Sequence, residues 1–556
     1  MKNKLFEKYF VFSPYFWLVL FFFIPLAIIF KISISVSEWG MPPYQDIFLF
    51  DNGFKINTTF ENYVYIFSDY YYIGSFVNSL ILALISTFFC LLIGFPLAFY
   101  IATSNIRLRN ILLVLVVIPF WSSFLLRVYA WKIILQNNGI LNVILLNLGI
   151  TSEPLQLLYN QYAVIMGIVY TYLPLMILPL YGYLNKFDLN LIEASKDLGL
   201  NRIKTFFKVI LPLSVPGIVA GSLLVFIPVV GEFIIPEMLG GSDRLYYGKI
   251  LWEEFFVNRN WPGASALAFS GIIIWFYQLL FFKYFILVGV KKMKSSLIKS
   301  TVIFLGLFFL YFPILVLIFY SFNENKRVMV WKGFSLRWYN ELFNNEQIIE
   351  AFIISIKIAA LSATFATILG VMIGYSLVRI RKIPFKSFYI FLSSTPLVLP
   401  ELILGLSMLL FFISLNNVIG FPSSRGQLTI FISHVTFCIA FVAIIIQARL
   451  TDFNKNIEEA AMDLGYNYTK VLYKITLPII LPSIIAGWLL AFTISLDDLV
   501  VASFTAGPGA NTLPIVVFSK VRLGLSPEVN ALSAILMFAL IIIGLFYFYF
   551  NKKFKH

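Results

Sequence analysis

The sequence predicts an all-α polytopic membrane protein of about twelve transmembrane helices, arranged as two parallel repeats of six. Three observations carry this prediction. Of 556 residues, 60% are hydrophobic and 12% charged, with a mean hydropathy of +0.89; no soluble domain of this length buries so much apolar surface. Apolar stretches of about 20 residues, the length that crosses a hydrocarbon core, recur along the chain. One polar stretch also occurs twice. Glu193-Ala194-Ser195-Lys196-Asp197-Leu198-Gly199 returns 266 residues later as Glu459-Ala460-Ala461-Met462-Asp463-Leu464-Gly465. A period this long marks two homologous halves, not a solenoid.

Taken in order, the first half offers spans near residues 15–35, 76–101, 111–131, 163–183, 216–239 and 264–290. The second offers spans near 302–322, 351–378, 389–413, 430–449, 479–504 and 531–550. The run that begins at Tyr15 is too long for a secretory signal and no small-residue cleavage site follows it, so it reads as the first span. Basic residues fix the orientation by the positive-inside rule. Lys2, Lys4 and Lys8, Arg107 and Arg109, both polar repeats, Lys291-Lys292-Lys294, Arg379-Arg381-Lys382 and Lys552-Lys553 all fall on one side if each half has six spans. Both termini and both repeats are then expected in the cytoplasm. The short basic connector suggests a fusion point, dividing the chain into halves 1–292 and 293–556.

The net charge of +14 does not point to nucleic acid, because the basic residues recur between apolar spans and form no single patch. Cys90 and Cys438 lie in separate apolar runs, which excludes a disulfide framework. The sequence has no G-x-x-x-x-G-K-[S/T] phosphate loop and only two histidines, His434 and His556, so neither ATP binding by that motif nor a metal centre is indicated. No nucleophile and base stand out as a pair. An enzyme active site is therefore not expected.

Each polar repeat has its own chemistry. Glu, Ala, Asp and Leu ahead of Gly favour a short helix that the Gly terminates in a left-handed turn. A second basic helix follows (Lys204 and Lys208; Lys470 and Lys474), and then prolines that re-enter an apolar span. A single copy reads as an amphipathic loop; two matched copies read as paired levers against a soluble partner.

Ionisable residues within spans mark substrate paths. Candidates are Glu232 and Glu237 in the fifth span, Glu401 near the ninth, and Asp497 and Asp498 in the eleventh, with Trp121, Tyr129 and Tyr172 as aromatic neighbours. Glu232 and Asp498 are equivalent at the 266-residue offset. Carboxylates with few compensating cations favour a cationic substrate. The alternative is that these acids sit at the interface or pair with Arg127 or Lys132 to close a gate. His434 reads as a packed, hydrogen-bonded residue, with a proton relay as the alternative.

Glu-Ala-Ala, three residues, Gly, nine residues, Ile, one residue, Leu-Pro is the signature that resembles membrane subunits of binding-protein-dependent ABC importers. The second copy matches it in full, including Ile475 and Leu477-Pro478; the first departs at Ser195 and Val209. The resemblance extends to spermidine/putrescine importers. Arg127-Val128-Tyr129-Ala130-Trp131, Met238-Leu239-Gly240-Gly241 and Asn260-Trp261-Pro262-Gly263-Ala264 look like the B-type permease. Ser433-His434-Val435-Thr436-Phe437-Cys438, Ser495-Leu496-Asp497-Asp498-Leu499-Val500 and Ser526-Pro527-Glu528-Val529-Asn530 look like its C-type partner.

The resemblance implies the type I importer permease fold, in a bacterial cytoplasmic (inner) membrane, with two subunits fused. It implies a polyamine substrate delivered by an extracytoplasmic binding protein; the outward loops near residues 37–72 and 323–350 are the candidates to receive it. It also implies two ATPase subunits docked on the repeats, at Glu193, Ala194, Asp197 and Gly199 and at Glu459, Ala460, Asp463 and Gly465. ATP and Mg belong to those partners; this chain is expected to bind no cofactor. Related permeases carry ferric iron or thiamine. An ion-coupled secondary transporter is the other class, and it gives no reason for the paired loops.

Overall fold

The computed structural model describes residues 2–49, 55–188, 190–241, 244–285, 298–380, 382–524 and 526–553. Among the described residues, the regular elements are helices apart from two antiparallel two-residue strands, Phe48–Leu49 and Lys55–Ile56. Among the described residues, 9 helices are long and apolar enough to cross a membrane, or 10 if Ile106–Phe120 and Phe124–Ile134, bent by 82°, make one span. The sixth and twelfth expected spans enter only as the shorter apolar stretches Trp261–Ile273 and Pro527–Ala539. The expected boundary at residues 292 and 293, with Lys291, Lys292 and Lys294, lies outside the described residues.

Prolines explain where apolar runs break. The ninth expected span is two helices, Lys386–Val398 and Glu401–Ile419. Leu399 between them is extended (ψ 134°), as the residue before Pro400 must be to avoid the proline ring. A gentler device occurs three times. Val19–Phe23, Phe206–Ile210 and Leu472–Thr476 are single π-turns, each ending two residues before Pro25, Pro212 or Pro478. Each proline lacks an N–H and its ring crowds the carbonyl four residues back, so the preceding N–H bonds five back instead, as Leu211 does to Phe206 and Leu477 to Leu472.

The repeat seen in one loop extends through the second part of each half. At the same offset of 266, Asn190–Asp197 matches Asn456–Asp463, Arg202–Thr205 matches Tyr468–Val471, and Ile234–Leu239 matches Val500–Thr505. The 34-residue helices Tyr70–Thr103 and Glu346–Arg379 also correspond, at a larger offset.

Packing divides the chain into two compact units that do not follow the contiguous halves. One comprises Met1–Asn62, Arg259–Phe269 and Glu346–Val516; the other comprises Tyr63–Asn258, Ser270–Asn345 and Val517–His556. In the first unit, Glu346–Arg379, Gln427–Asp452 and Leu477–Asp497 form the central bundle, and the N-terminal helices pack on it and on Glu401–Ile419. Trp17 donates to Thr436 Oγ1 at 3.1 Å, and the Tyr15 and Tyr389 rings stack at 5.3 Å. In the second unit, Tyr70–Thr103, Gln161–Leu184 and Leu211–Val230 form the bundle, joined by Ile298–Ser321. There Tyr170 donates to the Leu310 carbonyl at 3.0 Å and Tyr311 to the Leu115 carbonyl at 2.9 Å. The opening helix of each half thus completes the unit built on the other half's bundle.

Candidate functional sites: paired loops and paired acids

Both loops form the short helix that the sequence predicts, and both end in the same way. Gly199 has φ +79° and Gly465 φ +89°, the left-handed region that a residue with a Cβ enters at a cost. The Gly465 N–H bonds to the Met462 carbonyl at 2.9 Å and the Tyr466 N–H to Ala461 at 3.1 Å. Gly199 and Leu200 repeat this with Lys196 and Ser195, at 2.8 and 3.0 Å. These are Schellman closures that satisfy the last carbonyls of the helix. An added Cβ at either glycine meets no atom within 4 Å, so conformation, not space, demands glycine there.

Glu193, Ala194, Asp197 and Gly199 are exposed, as are Glu459, Ala460, Asp463 and Gly465. The sequence reading did not single out the leucines before the glycines. Leu198 and Leu464 are 83% and 82% exposed at equivalent positions, on short helices whose other exposed residues are mostly polar. Two matched bare leucines give each loop an apolar knob.

The loops are anchored differently. In the first, the buried Ser195 hydroxyl lies 2.9 Å from the Thr205 hydroxyl, which accounts for one departure from the signature. The second carries apolar Ala461 and Val471 at those positions and is tied down by charge instead. Arg379 Nε lies 2.6 Å from Glu458 Oε2, and Thr476 donates to Glu458 Oε1 at 2.6 Å, with Arg379 and Glu458 side chains 9% and 6% exposed. The register places Ile192 opposite Glu458 in the first copy.

The equivalent acids lie just beyond the helices that the sequence assigned them to. Leu211–Val230 and Leu477–Asp497 end first, and Glu232 and Asp498 sit in the breaks that follow. Hydropathy windows run across such breaks, which explains the difference. Glu232 Oε1 accepts the N–H groups of Ile234 and Ile235 at 3.0 and 3.3 Å, and Tyr172 donates to Oε2 at 2.6 Å. Asp498 accepts from Val501 and Ala502 at 3.3 and 2.7 Å. Each acid therefore caps the first turn of a short helix, where free N–H groups and the helix dipole favour negative charge.

His434, buried, contacts Asp498 Oδ2 through Nε2 at 3.1 Å and Ser495 Oγ through Nδ1 at 2.7 Å. The register places Ile168 opposite His434, so Asp498 has a histidine where Glu232 has Tyr172.

The remaining candidates are dispersed. Glu401 opens its helix and is exposed, and Asp497 ends its own half-buried. Tyr129 is buried; its hydroxyl donates to the Ser526 carbonyl and accepts the Ser526 N–H, both at 3.2 Å. Trp121 ends the helix Ile106–Trp121, and its side chain lies outside the described residues. Arg127 donates to the Thr171 carbonyl at 3.4 Å and Lys132 to the Val521 carbonyl at 3.5 Å. Glu237 holds Lys249 and Arg522, two cations that the sequence reading did not place.

If capping is the main structural duty of Asp498, Asp498→Ala should lower thermal stability by an amount equivalent to about 1–2 kcal/mol. Asp498→Asn, which keeps an acceptor for the helix N–H groups, should lose less than half of that. Equal losses in melting experiments on the purified protein would contradict the capping role.

Long apolar helices, a repeated bundle and two matched loops bearing exposed leucines define a multi-pass membrane permease. The chain belongs to the family described as binding-protein-dependent transport system inner membrane component, which matches residues 65–328 and again 366–556. It carries two permease units in one polypeptide. It is 51% identical over 251 residues to the putrescine transport system permease protein PotI of Escherichia coli K12, covering 45% of this chain and 89% of that protein. It is 40% identical over 284 residues to the spermidine/putrescine transport system permease protein PotB of Haemophilus influenzae, covering 51% of this chain and 94% of that protein. A solved bacterial ABC transporter involved in the import of the acidic polysaccharide alginate aligns at 16% identity and a TM-score of 0.40, over 52% of this chain and 98% of that one.

Proposed function

We propose that the chain is the transmembrane subunit of an ABC importer and forms the translocation pathway for polyamines. The observation that carries this reading is its identity with permeases of both putrescine and spermidine/putrescine systems, at 51% and 40%. An extracytoplasmic binding protein delivers the substrate, and two separate ATPase subunits bind Mg and ATP and engage the loops at Glu193–Gly199 and Glu459–Gly465. Both loops and both termini face the cytoplasm in this reading, which the distribution of basic residues supports.

Closure of the ATPases moves the loops, which are joined through the π-turns to Leu211–Val230 and Leu477–Asp497. Those helices, about 30 Å long at 1.5 Å per residue, carry the movement to the breaks that Glu232 and Asp498 cap. The chain's own work is alternating access, without covalent chemistry. Glu232, Glu237, Glu401, Asp497 and Asp498, with Trp121, Tyr129 and Tyr172, supply or position the cation's route.

The test is uptake by proteoliposomes holding the chain, its ATPase and its binding protein. Labelled putrescine or spermidine should accumulate, and Asp498→Asn should cut the rate at least tenfold with ATPase assembly intact. Accumulation of ferric iron or thiamine in place of either amine would overturn the substrate assignment.

A further inference from the structure

In the unit built on the first half's bundle, three segments each place an aromatic ring and a charged group one helical turn apart. Phe233 and Glu237 belong to Ile234–Leu239 and the residue before it, Lys249 and Trp252 to Tyr247–Phe256, and Phe518 and Arg522 to the end of Leu513–Leu523. The rings form one tier. Phe233 lies flat on Trp252, with centroids 4.5 Å apart and planes 12° from parallel, and Phe518 meets Phe233 edge-on at 6.4 Å. The charges form the next tier. Lys249 Nζ is 3.4 Å from Glu237 Oε2, and Arg522 Nη2 is 3.8 Å from Glu237 Oε1. One carboxylate thus holds a different cation on each oxygen. The Glu237, Lys249 and Arg522 side chains are 27%, 22% and 65% exposed, so solvent reaches the group.

We propose that Glu237, with the Phe233–Trp252 stack beside it, is an exchange site for a linear alkylammonium ion, which displaces Lys249 and Arg522 from the carboxylate. The proposal rests on the polyamine-importer reading and names the carboxylate that reads the substrate. A lysine side chain is itself an alkyl stem ending in an ammonium group, chemically the end of a linear diamine. Geometry that seats Lys249 on Glu237 therefore seats such a ligand. Ion pairs with this much solvent access are weak, and Arg522 is exposed enough to regain water when released, so the internal pair holds the site without blocking it. Phe233 is buried and backs Trp252, while Trp252 and Phe518, both half-buried, offer the ligand's methylenes or a second ammonium group an aromatic surface one turn away. The repeat supplies the contrast: at the 266-residue offset, Phe233, Glu237 and Lys249 correspond to Leu499, Ser503 and Ile515. The second half therefore lacks this set at the matching positions.

The experiment is equilibrium binding of labelled putrescine to the full chain purified with its ATPase, with uptake by the wild-type assembly measured in parallel. Glu237→Gln should weaken binding at least tenfold. Lys249→Met, which keeps the carboxylate and removes its internal competitor, should tighten binding. The exchanged pair Glu237→Lys with Lys249→Glu restores an ion pair of reversed polarity and should bind as poorly as Glu237→Gln.

Full recovery in the exchanged pair, or weaker binding in Lys249→Met, would overturn the site and leave a structural latch. If Glu237→Gln does not assemble, the Lys249→Met result decides alone. Amine uptake by the wild type with unchanged binding in Glu237→Gln overturns the site and spares the functional reading. No amine uptake by the wild type overturns both.

Discussion

Gly465→Val should reduce substrate uptake at least tenfold while the chain still inserts and folds. Gly465 closes its helix at φ +89°, and a β-branched residue held there costs on the order of 1–3 kcal/mol. The surrounding space is empty, so the turn can relax by unwinding. Unwinding moves Leu464, the exposed knob, and releases the bonds from Gly465 and Tyr466 to the helix end. The bundle helices do not depend on those bonds, so thermal stability should fall by little. Glu459→Lys should act similarly by reversing charge on the exposed face, where Glu459 now pairs with Lys455 at 2.5 Å. Both variants are expected to leave the ATPase hydrolysing ATP without matching uptake. Normal uptake in Gly465→Val would remove the loop from the coupling path.

Arg379→Ala should strongly destabilise the unit built on the second half's bundle. It removes the partner of a carboxylate that is 6% exposed, leaving Glu458 with Thr476 and a buried charge, a loss of about 3–5 kcal/mol. The repeat suggests the remedy. At the matching positions the first half has Thr103 for Arg379, at the longer offset of its helix, and Ile192 for Glu458. Arg379→Thr combined with Glu458→Ile should recover most of the stability that Arg379→Ala loses, because no charge is then left buried. Thermal unfolding of the purified variants measures this. A double variant as unstable as the single one would show that the pair does more than satisfy its own charges.

Much of this architecture is legible in the sequence because its determinants are local. The loops announce themselves through Glu-Ala, Asp and Gly at fixed spacing, and the 266-residue offset finds Glu232 and Asp498 as a pair. The breaks at residues 231 and 498 are not legible by hydropathy, since apolar residues resume directly after the acids, at Phe233 and Leu499, and a window averages across them. Their acids read as membrane-embedded charges when they are helix caps. Glu237 meets Lys249 from the next helix and Arg522 from far along the chain, and no helical or strand spacing marks either contact. With aromatics at 18% of the chain, the stack of Phe233 on Trp252 has no sequence signature either. The exchange of opening helices between units is invisible for a related reason: lipid-facing apolar surface carries no label for its neighbour.

The decisive measurement is the energy source of transport by the reconstituted chain. Accumulation of labelled putrescine or spermidine should require ATP, the ATPase and the binding protein together. It should be lost when the exposed face of either loop is altered, by Leu198→Asp or Leu464→Asp. Accumulation driven by an ion gradient without the ATPase, and unchanged by both leucine substitutions, would contradict the importer mechanism at its root.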